Sequence, residues 1–285
     1  MSGIDPSLRI RSVTLGVSDL PRSSEFYERA LGLVPVSREN GTAVLGADGS
    51  TPALVLTRID HPTPLPPGAS GLFHVAWLHP SRAALADTVR RVAAAGWPLE
   101  GASDHGVSEA VYLSDPDGLG IEIYADRPRE RWARTPAGGV HMVTLALDLE
   151  DLLAQSPGPP AGAIAPGTGV GHVHLKVADV RRASGFYDRD VGFEEQARMP
   201  AASFLGAGGY HHHIGLNSWQ SAGAARAPET APGLREMVFE LSGEQALEEL
   251  SGRLRERGDE PEERDGRVLV RDPDGQTLAF AAPGL

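Results

Sequence analysis

The sequence places histidines in two strand-like runs and a glutamate in a third. His74 lies in GLFHVAW, His172 and His174 lie in GHVHLKVAD, and Glu122 follows an Asp-Pro-Asp-Gly turn in DPDGLGIEIY. Two imidazoles and one carboxylate can hold a divalent iron on one face and leave the opposite face open for substrate and oxygen. Three ligands on three separate strands can meet only if those strands line one concave sheet.

Glu122 lies in an alternating strand pattern, with Ile121 and Ile123 on one face and Glu122 and Tyr124 on the other. Burying an unpaired carboxylate on such a strand would be costly, so a metal or another cation must compensate its charge. His172 and His174 are two residues apart and share a strand face, so either could be the ligand and the other a packing or hydrogen-bonding group.

Composition excludes several classes of function. The chain has 285 residues, a formal charge of −12 and a single lysine, Lys176, which argues against a surface that follows nucleic-acid phosphates. It has no cysteine, so disulfides, thiolate zinc sites, iron–sulfur clusters and a cysteine nucleophile are all excluded. The N-terminal residues show no charged-then-apolar leader, and no run approaches the ~18 apolar residues of a membrane span. We therefore expect a cytoplasmic protein with no nucleic-acid or membrane partner.

The chain contains an internal repeat. When His172 is aligned on Ser12, the identical positions are Val13, Leu15, Val17, Asp19, Arg22, Ser24, Phe26, Tyr27, Arg29 and Gly32. A second correspondence pairs the Asp-Pro-Asp-Gly turn beginning at Asp115 with that beginning at Asp272. Each half therefore holds two units, and each unit reads as a strand, an amphipathic helix and further strands. In the first unit we expect a strand near 11–17, a helix near 21–31, and strands at TAVLG and ALVLTR.

The units define the predicted domain organisation. An N-terminal domain, 8–130, contains modules 8–60 and 71–126, and a C-terminal domain, 168–285, contains modules 168–219 and 233–283. The segment between them, 131–167, includes the Pro- and Gly-rich stretch 156–162, which predicts an irregular linker.

Four βαβββ units in this order resemble the vicinal oxygen chelate superfamily of glyoxalases, bleomycin resistance proteins and extradiol dioxygenases. The segments TGVGHVHLKVADV, AGGYHHHIGLNSW and HGVSEAVYLSDPDGLGIEIYADRPRERW are closest to its catechol 2,3-dioxygenase branch. The resemblance covers nearly the whole chain. It implies an α+β fold in which four βαβββ modules form two paired-module domains with cup-shaped mixed sheets.

The resemblance also implies a ligand set and a reaction. The metal ligands would be His172, His74 and Glu122, and the metal Fe(II), with Mn(II) as the alternative. The substrates would be a small aromatic diol of the catechol type and O2, and ring cleavage beside the diol would give a yellow semialdehyde.

Three further residues match the catalytic positions of such enzymes. His212, in a His-His-Ile-Gly pattern, corresponds to the acid–base histidine, and Tyr112 stands ten residues before Glu122. His105 lies in the loop that leads to this tyrosine. Tyr112 could alternatively be an ordinary half-buried strand tyrosine.

The other two modules lack these residues. Module four has Glu236 and Ala279, and module one has Ser12, at the positions that correspond to the ligands. One site per chain follows, and it requires modules two and three to pair across the boundary between the halves. The alternative, pairing within each half, would leave His74 with Glu122 in one half and His172 with the run 211–213 in the other.

Other histidines and other functions fit the sequence as well. By strand alternation His211 and His213 face away from His212 and would line the outer sheet surface or a subunit contact. His61, His79 and His141 match nothing and are expected at the surface or in local packing. A glyoxalase-like isomerase would need a fourth ligand, and a non-catalytic binding protein would not need metal ligands at all. Such sheets often dimerise, so we expect a homodimer.

Overall fold

The computed structural model describes residues 3–136 and 138–284. Met1 and Ser2 of the N-terminal segment, Ala137 of the predicted connecting segment and Leu285 of the predicted C-terminal domain lie outside the described residues. The strands are β1 (Arg9–Val17), β2 (Val34–Glu39), β3 (Thr42–Gly46), β4 (Leu54–Arg58), β5 (Gly71–His79), β6 (Gly101–Asp104), β7 (Ser108–Ser114), β8 (Gly120–Asp126), β9 (Leu145–Ala146), β10 (Gly169–Lys176), β11 (Glu194–Met199), β12 (Ala202–Gly206), β13 (Ile214–Asn217), β14 (Gly233–Glu240), β15 (Glu262–Arg264), β16 (Arg267–Arg271) and β17 (Thr277–Ala281). The α-helices are α1 (Leu20–Phe26), α2 (Arg82–Ala94), α3 (Leu149–Ala154), α4 (Val180–Gly185) and α5 (Glu244–Arg257).

These strands form two mixed sheets, which confirms the predicted α+β class. One sheet has the order β15-β16-β17-β14-β1-β4-β3-β2 and combines modules four and one. The other has the order β11-β12-β13-β10-β5-β8-β7-β6-β9 and combines modules three and two. Each half of the chain thus contributes one module to each sheet. The pairing of modules two and three is the one that the ligand pattern requires, while the domain boundaries at 130 and 168 stay a prediction.

One face of each sheet packs into a continuous apolar core with the helices. Leu15 of β1, Trp77 of β5, Leu85 of α2 and Phe239 of β14 all belong to this core and are almost completely buried. No helix among residues 3–136 and 138–284 is long and apolar enough to cross a membrane.

The first helix of each half changes geometry at its C-terminal end. Asp19 caps α1 by accepting from the backbone N–H of Arg22, and the α-helix stops at Phe26. One π-helical turn, Tyr27–Leu31, then ends at Gly32, whose φ of 81° suits a residue without a side chain. The predicted helix 21–31 is therefore two segments. The second half repeats this geometry in α4 and in the π-helical turn Phe186–Val191.

A buried tyrosine in each π-helical turn ties the two sheets together. The hydroxyl of Tyr27, from module one, donates to Asp115 of module two over 3.2 Å, and that of Tyr187 donates to Asp272 over 3.0 Å. Both aspartates also accept backbone N–H groups within their own turns. Burial raises the pKa of each carboxyl to about 6. The Asp-Pro-Asp-Gly turns are thus docking points for the neighbouring module.

Replacing Tyr27 by Phe should lower the free energy of unfolding by about 1–3 kcal/mol, because a buried carboxyl oxygen loses its hydroxyl donor. The midpoint of urea unfolding measures this. Arg29→Ala, which removes an exposed ion pair with Glu25, is the control and should cost about 0.5 kcal/mol or less. Equal midpoints for Tyr27→Phe and the unmodified chain would contradict the docking role.

Candidate metal centre

The sheet of modules two and three brings the predicted ligands to one face. Across four neighbouring strands, His172 lies opposite Ala76, Ala76 opposite Glu122, and Glu122 opposite Tyr112. His74 is two residues before Ala76 and therefore projects from the same face. Ile121 and Ile123 point to the opposite face and join the apolar core, as the alternation predicts.

The ligand atoms of the three residues converge. Glu122 Oε2 lies 3.0 Å from His74 Nε2 and 3.3 Å from His172 Nε2, and the two Nε2 atoms are 3.3 Å apart. The side chains are 6%, 3% and 2% exposed for His74, Glu122 and His172. Within the described part of the chain, this is the one group of acidic and imidazole side chains arranged to hold a metal ion.

The protonation states of the group suit a metal. Burial lowers the pKa of His172 to about 4, which keeps its imidazole neutral. Burial alone would raise the pKa of Glu122, but its interactions with the adjacent His172 and His74 imidazoles outweigh burial and hold that pKa well below its ordinary range. A neutral imidazole and an ionised carboxylate are the forms in which these residues bind metals. The donor set therefore fits a divalent ion.

His174 lies next to the group of His74, Glu122 and His172 and is not part of it. Its Nε2 is buried with no hydrogen-bond partner among residues 3–136 and 138–284. The ring is surrounded by aromatic side chains at 5.1–5.8 Å between centroids: Phe73, Phe204 and Trp219. Gly215 provides the space, since an added Cβ there would lie 2.8 Å from the His174 ring. The geometry favours His172 over His174 as the ligand.

The corresponding row of the other sheet carries no ligand set. Ser12 lies opposite Val238, Val238 opposite Ala279, and Ala279 opposite Leu269. Glu236, at the position of His74, pairs with Arg267 over 2.9 Å. Ala279 and Leu269 pack together with Val238 where Glu122 and Tyr112 stand in the first sheet. This arrangement agrees with the expectation of one site per chain.

The histidine run 211–213 is placed differently from the expectation. His211 is fully buried rather than on an outer surface, and its Nδ1 lies 2.7 Å from His212 Nδ1. Its Nε2 lies 2.9 Å from Asp126 Oδ1. The alternation argument was wrong because β13 begins only at Ile214, so the run precedes the strand. His213 is also buried, and its Nδ1 accepts from the backbone N–H of Ala207.

The hydrogen bonds that connect Asp126, His211 and His212 determine which ring nitrogen of His212 carries a hydrogen. A carboxylate only accepts hydrogen bonds, so His211 Nε2 carries the hydrogen and donates a hydrogen bond to Asp126. His211 Nδ1 is then an acceptor, and it accepts a hydrogen bond from His212 Nδ1. His212 then keeps Nε2 free as an acceptor. Its side chain lines the same cavity as the ligand group, with its ring centroid 4.1 Å from that of His172. Burial lowers the pKa of His212 well below its ordinary value.

Tyr112 and His105 form a second hydrogen-bonded pair in the cavity. His105 Nδ1 donates to the carbonyl of Val143 over 2.8 Å, so its Nε2 accepts from the Tyr112 hydroxyl over 2.7 Å. Burial, together with the nearby Glu122 charge, raises the pKa of Tyr112. Both side chains line the cavity.

The connecting segment takes part in the site, which the sequence did not indicate. Its strand β9 adds to the edge of the sheet beside β6, and Met142, Val143 and Thr144 line the cavity. The Pro- and Gly-rich stretch 156–162 predicts an irregular linker, whereas the strand and the cavity wall lie in the mostly apolar residues 140–147 that precede it. The three unmatched histidines lie elsewhere: His79 is buried and bonded to Thr88, and His61 and His141 are exposed.

Gly171, directly before His172, has a steric role. A Cβ at this position would lie 1.9 Å from the Tyr124 hydroxyl, which is hydrogen-bonded to the Tyr210 hydroxyl over 2.7 Å. The register of β10 against β5 also shifts between Val170 and His172. A glycine here lets Tyr124 pack beneath the strand that carries His172.

The fold and site define the class of protein. The chain belongs to the Glyoxalase/Bleomycin resistance protein/Dioxygenase superfamily, whose model matches residues 9–123 and 169–280. It is 37% identical over 276 residues, 96% of each chain, to the catechol-2,3-dioxygenase of Bacillus subtilis (strain 168). The chain is therefore an enzyme, an oxidoreductase similar to catechol-2,3-dioxygenase.

Solved structures show the same fold. A protein of Bacillus subtilis subsp. subtilis str. 168 matches with a TM-score of 0.68 and 15% identity, over 100% of this chain and 87% of that one. Glyoxalase I from Zea mays matches with a TM-score of 0.59 and 16% identity, over 97% of this chain and 92% of that one. At these identities the likeness establishes the fold, and the predicted family is confirmed by the sequence matches.

Gly171→Ala should lower the free energy of unfolding by about 1–3 kcal/mol, because the added methyl group forces Tyr124 or the strand to move. Gly169→Ala, in the same strand, is a matched control, since nothing lies within 4 Å of its added Cβ. Urea unfolding of both variants measures the difference. Equal stabilities would show that Tyr124 adjusts without cost.

Proposed function

We propose that this enzyme is an extradiol dioxygenase that cleaves the ring of a catechol-type diol, using Fe(II) held by His74, His172 and Glu122. The convergence of these three side chains at the base of one cavity is the observation that carries the proposal. The 37% identical relative named catechol-2,3-dioxygenase supports it. A three-residue donor set leaves coordination positions for two diol oxygens and for dioxygen.

Fe(II) in this site would lower the pKa of a bound phenol, orient the ring and pass electrons from the diol to dioxygen. The protein contributes the proton transfers. His212 Nε2 is a lone-pair acceptor in the cavity, so it can take the proton of the diol and later return it to a product oxygen. Asp126 stabilises positive charge on the pair His211–His212 through the hydrogen bond at His211 Nε2.

Tyr112 and His105 would hold the substrate oxygen on the opposite side of the cavity. The raised pKa of Tyr112 keeps its hydroxyl protonated, and on substrate binding this hydroxyl would turn its hydrogen from His105 Nε2 to the substrate oxygen. A hydroxyl donor in a buried cavity interacts more strongly with developing negative charge than it would in water.

The isomerase alternative is less well supported by the donor set. No fourth acidic or imidazole side chain joins the three ligands within the described residues.

Mn(II) in place of Fe(II), a homodimeric assembly and a cytoplasmic location remain predictions from the sequence.

Replacing His74, His172 or Glu122 by Ala should abolish tight iron binding, because each removes one of three protein ligands. His174→Ala and Glu236→Ala should retain iron and serve as controls, the first on the same strand face and the second at the corresponding position of the other sheet. Metal content after anaerobic loading and desalting measures the effect. Undiminished iron in His74→Ala, or loss in His174→Ala with retention in His172→Ala, would overturn the ligand assignment.

The activity itself is tested by oxygen uptake and by the appearance of the yellow semialdehyde. The iron-loaded, reduced protein should cleave catechol and 3-methylcatechol and leave phenol and hydroquinone unchanged, because only vicinal hydroxyls can chelate one metal. His212→Phe should keep its iron and lose about 10²–10⁴-fold in turnover, the range expected of an acid–base residue. His141→Gln, at an exposed histidine, is its control. Cleavage of hydroquinone without cleavage of catechol would refute the substrate assignment.

A further inference from the structure

The surface of the cavity that holds the ligand group is mostly apolar. It has a volume of about 340 Å³, a size typical of small-molecule sites. Most of its wall consists of apolar side chains, among them Phe73, Met142, Val143, Met199, Phe204 and Trp219. Trp219 is 55% exposed and Met199 is 40% exposed. The wall therefore extends from the buried ligands to the solvent.

Of the described residues that line this cavity, none is a lysine or an arginine. Arg127, which follows β8, and Arg82, in α2, are held by carboxylates and do not line the cavity. Arg127 pairs with Asp104 over 2.8 Å, and both Arg127 and Arg82 pair with the buried Glu109. The single lysine, Lys176, lines a separate cavity together with Arg226 and Arg235. The cavity thus offers a substrate no cationic partner except the metal.

The charge balance of the site limits what the cavity can bind. A divalent metal is neutralised by the Glu122 carboxylate and by a diol bound as its monoanion. A carboxylate elsewhere on the ring would add a second negative charge against an apolar wall, within a chain whose net charge is −12. An unpaired charge in such surroundings is strongly disfavoured, whereas an alkyl or aryl substituent gains from contact with the same wall.

From this we infer that the cavity selects uncharged vicinal diols bearing an alkyl or aryl substituent and excludes diols bearing a carboxylate. The inference rests on the proposed function, whose site it shares. Met199 is the position at which the selectivity can be changed, because it lies at the exposed end of β11 and reaches the cavity.

The test compares ligands of closely similar shape: 4-isobutylcatechol, 3,4-dihydroxyphenylacetate and the methyl ester of the latter. Dissociation constants are measured without oxygen on the iron-loaded protein, from the quenching of tryptophan fluorescence, and kcat/KM is measured with oxygen. We expect the two uncharged diols to bind and react at least tenfold better than the carboxylate. Equal binding of 4-isobutylcatechol and 3,4-dihydroxyphenylacetate would overturn the inference.

Substitutions of Met199, at the solvent-exposed edge of the cavity, test the same inference by changing the protein instead of the ligand. Met199→Arg should reduce the preference for the uncharged diol at least threefold, and Met199→Gln, which is polar without charge, should keep it. An unchanged preference in Met199→Arg would count against the charge argument. If the diols bind with the expected preference but none is cleaved, the proposed function fails while the selectivity stands.

Discussion

The antiparallel pairing of β5 with β10 is the constraint on which the site depends. It joins strands from the two halves of the chain, and its register sets His172 opposite Ala76 and therefore level with Glu122. A slip by one residue would turn every side chain of β10 to the other face of the sheet. The apolar residues Val173 and Leu175, which alternate with the histidines and enter the core, oppose such a slip.

The two sheets have the same architecture and differ in the side chains at the corresponding positions of their central strands. In one, a buried carboxylate faces two imidazoles, an arrangement that is costly without a cation. In the other, the same positions hold a serine and small or apolar side chains, and the one remaining carboxylate, Glu236, is neutralised by Arg267. In this duplicated fold only one sheet needs to carry the buried polar ligands. The other sheet contributes to stability through its apolar core.

The repeat could be predicted from matching positions within the chain, and the pairing of modules and the convergence of His74, Glu122 and His172 could be predicted from the resemblance to a known family. The roles of His211 and of the connecting segment could not. The run of three histidines looked like a strand, but its geometry is set by Asp126, which is distant in sequence. Met142 and Val143 are fixed at the cavity by contacts with residues distant in sequence, among them the two hydrogen bonds between Val143 and His105 and the packing of Met142 on Trp132 and Tyr210. The π-helical turns escaped prediction because tertiary bonding of Tyr27 and Tyr187 shapes them.

The exchange of modules between the sheets has a consequence for how the chain folds during synthesis. β1 and β5 are made early, but their partners β14 and β10 belong to the second half. At about 5–20 residues per second, both strands wait for seconds or longer with one edge unpaired. Open strand edges are templates for pairing with other chains, so a nascent N-terminal half needs shielding until the ribosome has delivered the rest.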